Sequence, residues 1–539
     1  MRNRLWYALI VLASLAIPAG LMSADKRQEL KPAFHTSDRC LACHNQLTTA
    51  SGEDVSIGFD WRASIMGNSA RDPYWQASVR REDMDHPGQK AEIEDGCADC
   101  HMPASRYQEK EQGQLGQVFA HIPFDADPKK NAAAQDGVTC SVCHQIAARN
   151  LGERASFNGG FVVEPPIARD EHPEYGPFVV ENGLAHIMQT STGGFRPMQA
   201  QHIRESAMCA TCHTLYTKSL DKTGKVLGEF PEQMPYQEWL HSDYPNKATC
   251  QSCHMPPVQG EAPIASVFAP KRSGVHQHTF IGGNFFVLGL LNLNRAELGV
   301  GAMPVELNAS AERTRRFLQT QTARVVIRNL DVNAGTLNAD VLVQNLTGHK
   351  LPTAFPSRRA WLHFRVQDRN GRTVFESGAL QRDGSIQGND NDADGTRFEP
   401  HYHEITNGDQ VEIYEPILKD SDGHVTTGLA AAVGYLKDTR LLPLGFEKRT
   451  ADKDTAVIGE AAADPNFDDG SDLVRYSISL GNAEGPFHVE AELWYQPIGF
   501  RWAHNLETYR AAEPQRFLRY YGQNPGATAI VLARAEGNH

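Results

Sequence analysis

Ten cysteines fall into five pairs: Cys40 and Cys43, Cys97 and Cys100, Cys140 and Cys143, Cys209 and Cys212, Cys250 and Cys253. Every pair has the spacing C-x-x-C, none is left over, and a histidine follows each second cysteine: His44, His101, His144, His213 and His254. Two thiols at that spacing can each form a thioether to one porphyrin, and the adjacent imidazole is then pinned beneath the ring, in reach of the iron. C-x-x-C-H is the attachment string of c-type haem. Exported proteins also spend cysteines on disulfides, C-x-x-C pairs build zinc sites, and a lone C-x-x-C can be a redox dithiol, but none of these requires the histidines. With 22 histidines in 539 residues, five out of five by chance is about one in ten million, so the pattern is read as haem attachment. The expectation is five covalent c-type haems, with four haems and one unused motif as the alternative.

The second axial position of each iron decides between a carrier and an enzyme, since an iron that binds substrate keeps that position open. Besides the five proximal histidines, the cysteine-bearing region holds His35, His86, His121, His172, His186, His202, His241, His276 and His278. His202 lies just before Cys209 and is expected in the same local pocket. His121 sits in the apolar Val118-Phe-Ala-His-Ile-Pro, where a histidine needs a partner. One of His276 and His278 is a further expected distal ligand. His349 could reach back from downstream, although a hydrogen-bonded turn histidine is the plainer reading. His401 and His403 straddle a strand and are expected to be exposed.

The elements that must position these ligands are short. Turn-rich stretches such as Asp85–Gly88 and Gly193–Pro197 separate the motifs. This suits a mostly helical and irregular domain over 25–300 whose core is largely porphyrin. Internal repetition shows in Cys97–Pro103 against Cys250–Pro256, CADCHMP and CQSCHMP. It shows again in Trp61-Arg-Ala-Ser64-Ile-Met66 against Trp239-Leu-His-Ser242-Asp-Tyr244. The second echo makes Met66 a candidate distal ligand; a gap-filling core thioether is the alternative.

Past about residue 300 the cysteines stop and period-2 alternation begins, with Phe487, Val489, Ala491, Leu493 and Tyr495 on one face and His488, Glu490 and Glu492 on the other. Further strands are expected over Arg324–Asn329, Leu337–Asn345, Ala360–Gln367, Gln410–Ile417 and Asp472–Leu480. Asn370-Gly371 and Asn407-Gly408 read as hairpin turns. An all-β sandwich over 301–539 follows, with a helical segment Asn505–Tyr521 interrupted by Pro514. Within it Asp390-Asn-Asp392-Ala-Asp394-Gly395 has the D-x-D-x-D-G form of a calcium loop. Its twelfth position is His401 rather than Glu, so calcium competes with a solvated acidic turn.

The formal net charge of −13 argues against nucleic acid and favours basic partner proteins. Arg2 and Arg4, the apolar run Leu5–Ala16 and the small residues Ser23-Ala24 make residues 1–24 an export signal, or alternatively a retained anchor. Either reading puts the body of the protein outside the cytoplasm, in the periplasm or at the cell surface. The next apolar stretch, Phe285–Leu291, is too short to span a bilayer.

From Cys40 to Asn284 the chain resembles the multihaem c-type cytochromes of the tetrahaem-cytochrome and hydroxylamine-oxidoreductase superfamily. Its string His276-x-His278-x-Phe280-x-Gly282-Gly283-Asn284 looks like the segment that delivers a distal histidine in such proteins. The downstream Asn345-Leu-Thr-Gly348-His349-Lys-Leu-Pro352-Thr353 resembles the start of a β-sandwich appended to some of them. The resemblance implies electron transfer in a respiratory or extracellular pathway between redox partner proteins. A multihaem oxidoreductase acting on a small nitrogen or sulfur species is the alternative, although no motif ends in the lysine used at some catalytic haems. A haem-bearing subunit that self-associates into a surface filament is the third reading.

Overall fold

The computed structural model describes residues 33–122, 131–166, 171–523 and 527–539. The expected export signal or anchor lies outside them. Among the described residues no helix is long and apolar enough to cross a membrane.

Up to Asn284 the chain runs in short helices, turns and two-stranded ribbons, and each cysteine motif lies on or against a helix. Asp38–Leu41 leads into the first motif, and Lys90–His101 ends on the second. Cys140–Gln145 and Cys250–His254 hold the third and fifth, and Ser206–Ala210 brings the first cysteine of the fourth. Residues three apart share a helix face, the arrangement two thiols need to meet one porphyrin. The apolar clusters here are small: Leu47, Val55, Val258, Ala262 and Val275 form one, Phe157, Ala210 and Tyr236 another.

The apolar run near residue 285 becomes the buried helix Phe285–Leu293, whose N-terminus is capped by the Asn284 side chain accepting from the Val287 amide at 3.2 Å. Helix Pro304–Gln321 follows, with Leu307, Ala311 and Leu318 inward. Nine strands then build two sheets: β1 (Ala323–Asn333), β2 (Thr336–Asn345), β3 (Arg359–Gln367), β4 (Thr373–Ser377), β5 (Glu404–Ile405), β6 (Ile413–Tyr414), β7 (Ser471–Ser479), β8 (His488–Gln496) and β9 (Ile530–Asn538). One sheet has the order β4-β3-β8-β9, with β6 also on β3; the other has β5-β7-β2-β1. All pairings are antiparallel except β5 with β7.

Inward residues of both sheets share one core. Ala360, Leu362, Phe364, Val489, Ala491 and Leu493 come from the first, Val341, Val343, Val474, Tyr476 and Ile478 from the second. Phe364 stacks on Tyr476 across the gap at 3.8 Å between ring centres. The same core takes in Ala63, Tyr74 and Ala77 from the cysteine-bearing part, and residues 33–539 form a single unit.

Local expectations are corrected in three places. The run Gln410–Ile417 is not one strand: it breaks at Glu415 into β6 and Pro416–Lys419, which belong to different sheets. Asn370-Gly371 does turn β3 into β4, but Asn407-Gly408 closes no hairpin, because β5 and β6 pair with different sheets. The C-terminal helix is broken ahead of its proline: a short turn Asn505–Thr508 ends before Ala512–Tyr521 begins, and Pro514 lies in the first turn, where a missing N–H costs nothing.

Candidate functional site

All ten cysteines and the five histidines that follow them line one cavity of about 1630 Å³, larger than the roughly 300–1,000 Å³ of an ordinary small-molecule pocket. Sulfur atoms of different motifs meet there. Cys40 is in hydrogen-bonding contact with Cys140, Cys209 with Cys250, and Cys212 with Cys100. Cys143 interacts electrostatically with both Cys209 and Cys212. The first motif therefore borders the third, the third borders the fourth, and the fourth borders the second and fifth. Burial pushes the Cys97 thiol up and Cys143 up to about 12, whereas the hydrogen bonds with Cys40 and Cys209 bring Cys140 down and Cys250 to about 7.

The histidines are held for ligation. The Nδ1 atoms of His44, His101, His144 and His254 meet the backbone carbonyls of Ile264, Ser69, Tyr175 and Ile281 at 2.6, 3.0, 2.6 and 2.5 Å. An Nδ1–H donated to a carbonyl fixes the tautomer and leaves Nε2 as the lone-pair donor. Burial pushes His101 and His213 down to about 4, so both are neutral near pH 7, as a ligand must be. Trp75 lies flat on His101, 4.3 Å between ring centres and 3° from parallel.

Two of these histidines face a second imidazole. His144 and His278 have ring centres 6.4 Å apart and planes 18° from parallel; for His254 and His349 the values are 6.2 Å and 15°. Metal–imidazole bonds of about 2.0–2.1 Å on either side of one ion, with about 1.1 Å from each nitrogen to its ring centre, require about 6.3 Å. His278 and His349 also give Nδ1 to backbone carbonyls, those of His276 and Lys350, at 3.1 and 2.9 Å. Burial pushes them down to about 3 and about 4. The donor set and the spacing thus fit two axial pairs.

The remaining candidates separate. His276 lines the cavity with its Nδ1 on the Met255 carbonyl at 2.5 Å. Met66 lines it too. His202 does not line the cavity: its Nε2 is occupied by the Ile146 carbonyl at 2.8 Å. His121 has both nitrogens engaged, Nε2 with Glu109 at 3.1 Å and Nδ1 with Asn131 at 3.1 Å, so its apolar sequence setting misled. The acidic loop does not gather around a cation. Asp392 is clamped by Arg359 at 2.8 and 2.9 Å, Asp390 pairs with Arg397, and Asp394 accepts from Thr396. The stretch Asp390–Ala393 is a helical turn rather than a calcium loop.

The W-x-x-S echo is a structural repeat. Ser64 and Ser242 each donate Oγ–H to the carbonyl of their tryptophan at 2.7 Å. Trp61 and Trp239 donate their indole N–H to Val138 and Ala248 at 2.9 and 3.0 Å, the residues two before Cys140 and Cys250. The amides of Val138 and Ala248 return to the carbonyls of Met66 and Tyr244 at 3.1 and 2.9 Å. Each unit therefore braces the strand of chain that enters a cysteine motif. In the second unit Tyr244 donates its hydroxyl to the Leu346 carbonyl at 2.7 Å. A Cβ on Gly348 would stand 3.0 Å from the Tyr244 ring. That close approach explains the glycine before His349 and seats this histidine opposite His254. Gly283 answers to a similar constraint, as a Cβ there would meet the Tyr495 hydroxyl at 2.5 Å.

No family model matches the chain, and no curated protein matches it. Among solved structures it is similar to a penta-heme cytochrome c552 from Thermochromatium tepidum, with a TM-score of 0.51 and 14% identity over 94% of this chain and 100% of that one. At that identity the likeness speaks for the fold alone, which this chain shares with that cytochrome.

Proposed function

We propose that this chain is an electron-transfer protein that carries five c-type haems outside the cytoplasm and passes electrons between partner proteins. The observation that carries the reading is the single cavity in which five C-x-x-C-H motifs meet. Bound haem would supply reversible one-electron chemistry at iron. The ten cysteines would tether it, and the five adjacent histidines would hold the proximal positions. His278 and His349 would close the distal positions opposite His144 and His254, and a closed position favours a carrier over a catalyst. Contacts between thiols of neighbouring motifs suit a carrier whose sites exchange charge without diffusing. His276 and Met66 are the remaining distal candidates, and an acidic surface suits docking to basic partners.

Intact mass of mature chain made with cytochrome c maturation machinery tests this, together with haem quantitation in alkaline pyridine. Five haem additions are expected, and a Cys97→Ser, Cys100→Ser variant is expected to carry four. Bare polypeptide, or zinc in place of haem, would refute the reading.

A further inference from the structure

A second constellation lies away from the cysteines, at the junction of the two sheets. His401 is fully buried, and its ring joins two carboxylates: Nδ1 meets Glu412 Oε1 at 2.9 Å and Nε2 meets Asp464 Oδ2 at 2.9 Å. The reading of this histidine as exposed is thereby overturned; β5 and the loop before it fold it inward, while His403 two residues on is 56% exposed. His403 Nδ1 approaches the same Asp464 oxygen at 2.8 Å. Asp472 Oδ1 lies 4.0 Å from His401 Nε2. That oxygen is buried and has no hydrogen-bond partner in the structure.

Each carboxylate is held by one oxygen and turned to the cluster by the other. Glu412 Oε2 accepts from the Tyr402 amide at 2.6 Å, Asp464 Oδ1 from the Asn466 amide at 2.7 Å, and Asp472 Oδ2 from the Tyr414 hydroxyl at 2.7 Å. The Lys448 ammonium nearby is spent on the carbonyls of Ala461, Asp464 and Phe467. Three carboxylates gathered on one buried imidazole, with the Asp472 Oδ1 atom unpartnered where water is excluded, are a costly arrangement unless a cation is present.

We propose that His401 Nε2, His403 Nδ1, Asp464 Oδ2 and Asp472 Oδ1 form a binding site for one divalent transition-metal ion of the zinc type. Two imidazoles and two carboxylates are a donor set suited to zinc rather than to calcium or to a soft ion. Tetrahedral bonds of about 2.0–2.1 Å would set the ligand atoms about 3.3 Å apart; His403 Nδ1 and His401 Nε2 stand 2.8 and 2.9 Å from Asp464 Oδ2 in one group, while Asp472 Oδ1, 4.0 Å from His401 Nε2, would move in to join them. Glu412 on Nδ1 is the outer carboxylate that fixes the tautomer of a metal-binding histidine. The ion would tie the segment before β5 to the start of β7, and the exposed His403 marks the way in. The group Asp420, Asp422 and His424 is different: it is largely exposed, with no orphaned buried atom.

The test uses the haem-loaded full chain, dialysed against EDTA and then titrated with zinc sulfate by calorimetry, with bound metal counted by elemental analysis. One zinc per chain is expected, with a zinc-dependent rise in unfolding temperature. His403→Ala and Asp472→Asn are expected to weaken binding at least tenfold and to abolish that rise, while His424→Ala behaves as wild type. Because the His403 side chain is more than half exposed, His403→Ala decides the matter even where Asp472→Asn folds poorly. No uptake by the stripped protein, or wild-type uptake by His403→Ala, would leave a doubly hydrogen-bonded imidazolium only and overturn the proposal.

Discussion

His254 and His349 belong to different parts of the chain, one on a cysteine motif and one in the segment that opens the strand region, yet their rings stand 6.2 Å apart and nearly parallel. Each has Nδ1 on a backbone carbonyl. The β-sheet portion therefore supplies part of the wall of the cavity that the five cysteine motifs line.

Replacing His349 by Ala is expected to open one axial position. The reduced variant should bind about one carbon monoxide per chain beyond wild type, and one haem in five should change from low to high spin in the electron paramagnetic resonance spectrum. Its reduction potential should rise, since loss of a strong axial nitrogen donor destabilises the ferric form. Unchanged spin counts would show that the rings face each other without sharing an iron.

His278→Ala is expected to do the same for the haem of the third motif. His202→Ala and His121→Ala are the controls, since Ile146, Glu109 and Asn131 already occupy their nitrogens. Visible and resonance Raman spectra of both controls should match wild type. A loss of low-spin signal in His202→Ala would reverse the assignment.

The five motifs that meet in the cavity were legible because each is local: C-x-x-C-H is written within five residues. The strands were legible too, as in Phe487–Tyr495, where the five alternating apolar residues are all buried, although Glu490 and Glu492 on the other face are buried as well. The facing histidine pairs were not, because they are set by long-range packing. His349 reaches its place through Gly348 against Tyr244, a contact with no periodicity to betray it. His202, beside Cys209 in sequence, turns to a different carbonyl. His401 was misjudged for a related reason: its neighbours Glu412, Asp464 and Asp472 come from three separate segments.

Lys350, next to His349, is fully buried and donates to Asp438 at 2.7 Å; Arg440 donates to the same carboxylate at 2.7 and 2.8 Å and pairs with Glu238 at 3.0 Å. Burial alone would raise the Asp438 pKa, but Arg440 and Lys350 hold it well below the usual carboxylate range. Asp438→Asn removes the shared anion, strands the Lys350 ammonium and leaves Arg440 with Glu238 alone. The expected loss is about 3–5 kcal/mol in denaturant unfolding. A loss under about 1 kcal/mol would mean that the cluster does not brace the loop of His349.

Glu492 on β8 shows how the outer face of a sheet can bury charge. It accepts from His363 at 3.2 Å, Trp494 at 2.9 Å and Arg534 at 2.8 Å. Burial would raise its pKa, yet His363, Trp494 and Arg534 together bring it to about 2. A carboxylate depressed in the folded state contributes stability above its unfolded pKa of about 4.3, and that contribution is lost as pH falls toward the folded value. His363, itself raised by Glu492 and Glu376 against the effect of burial, stays protonated across this window and does not confuse the readout. Glu492→Gln should cost about 1–2 kcal/mol near neutrality, the lower part of the range for hydrogen bonds to a charged group because Arg534 is half exposed. The gap in melting temperature between wild type and variant should be constant between about pH 5 and 6, below the range where His363 loses its proton, and close steadily between about pH 4 and 2. A gap that does not change with pH would mean that Glu492 acts through packing and not through its charge.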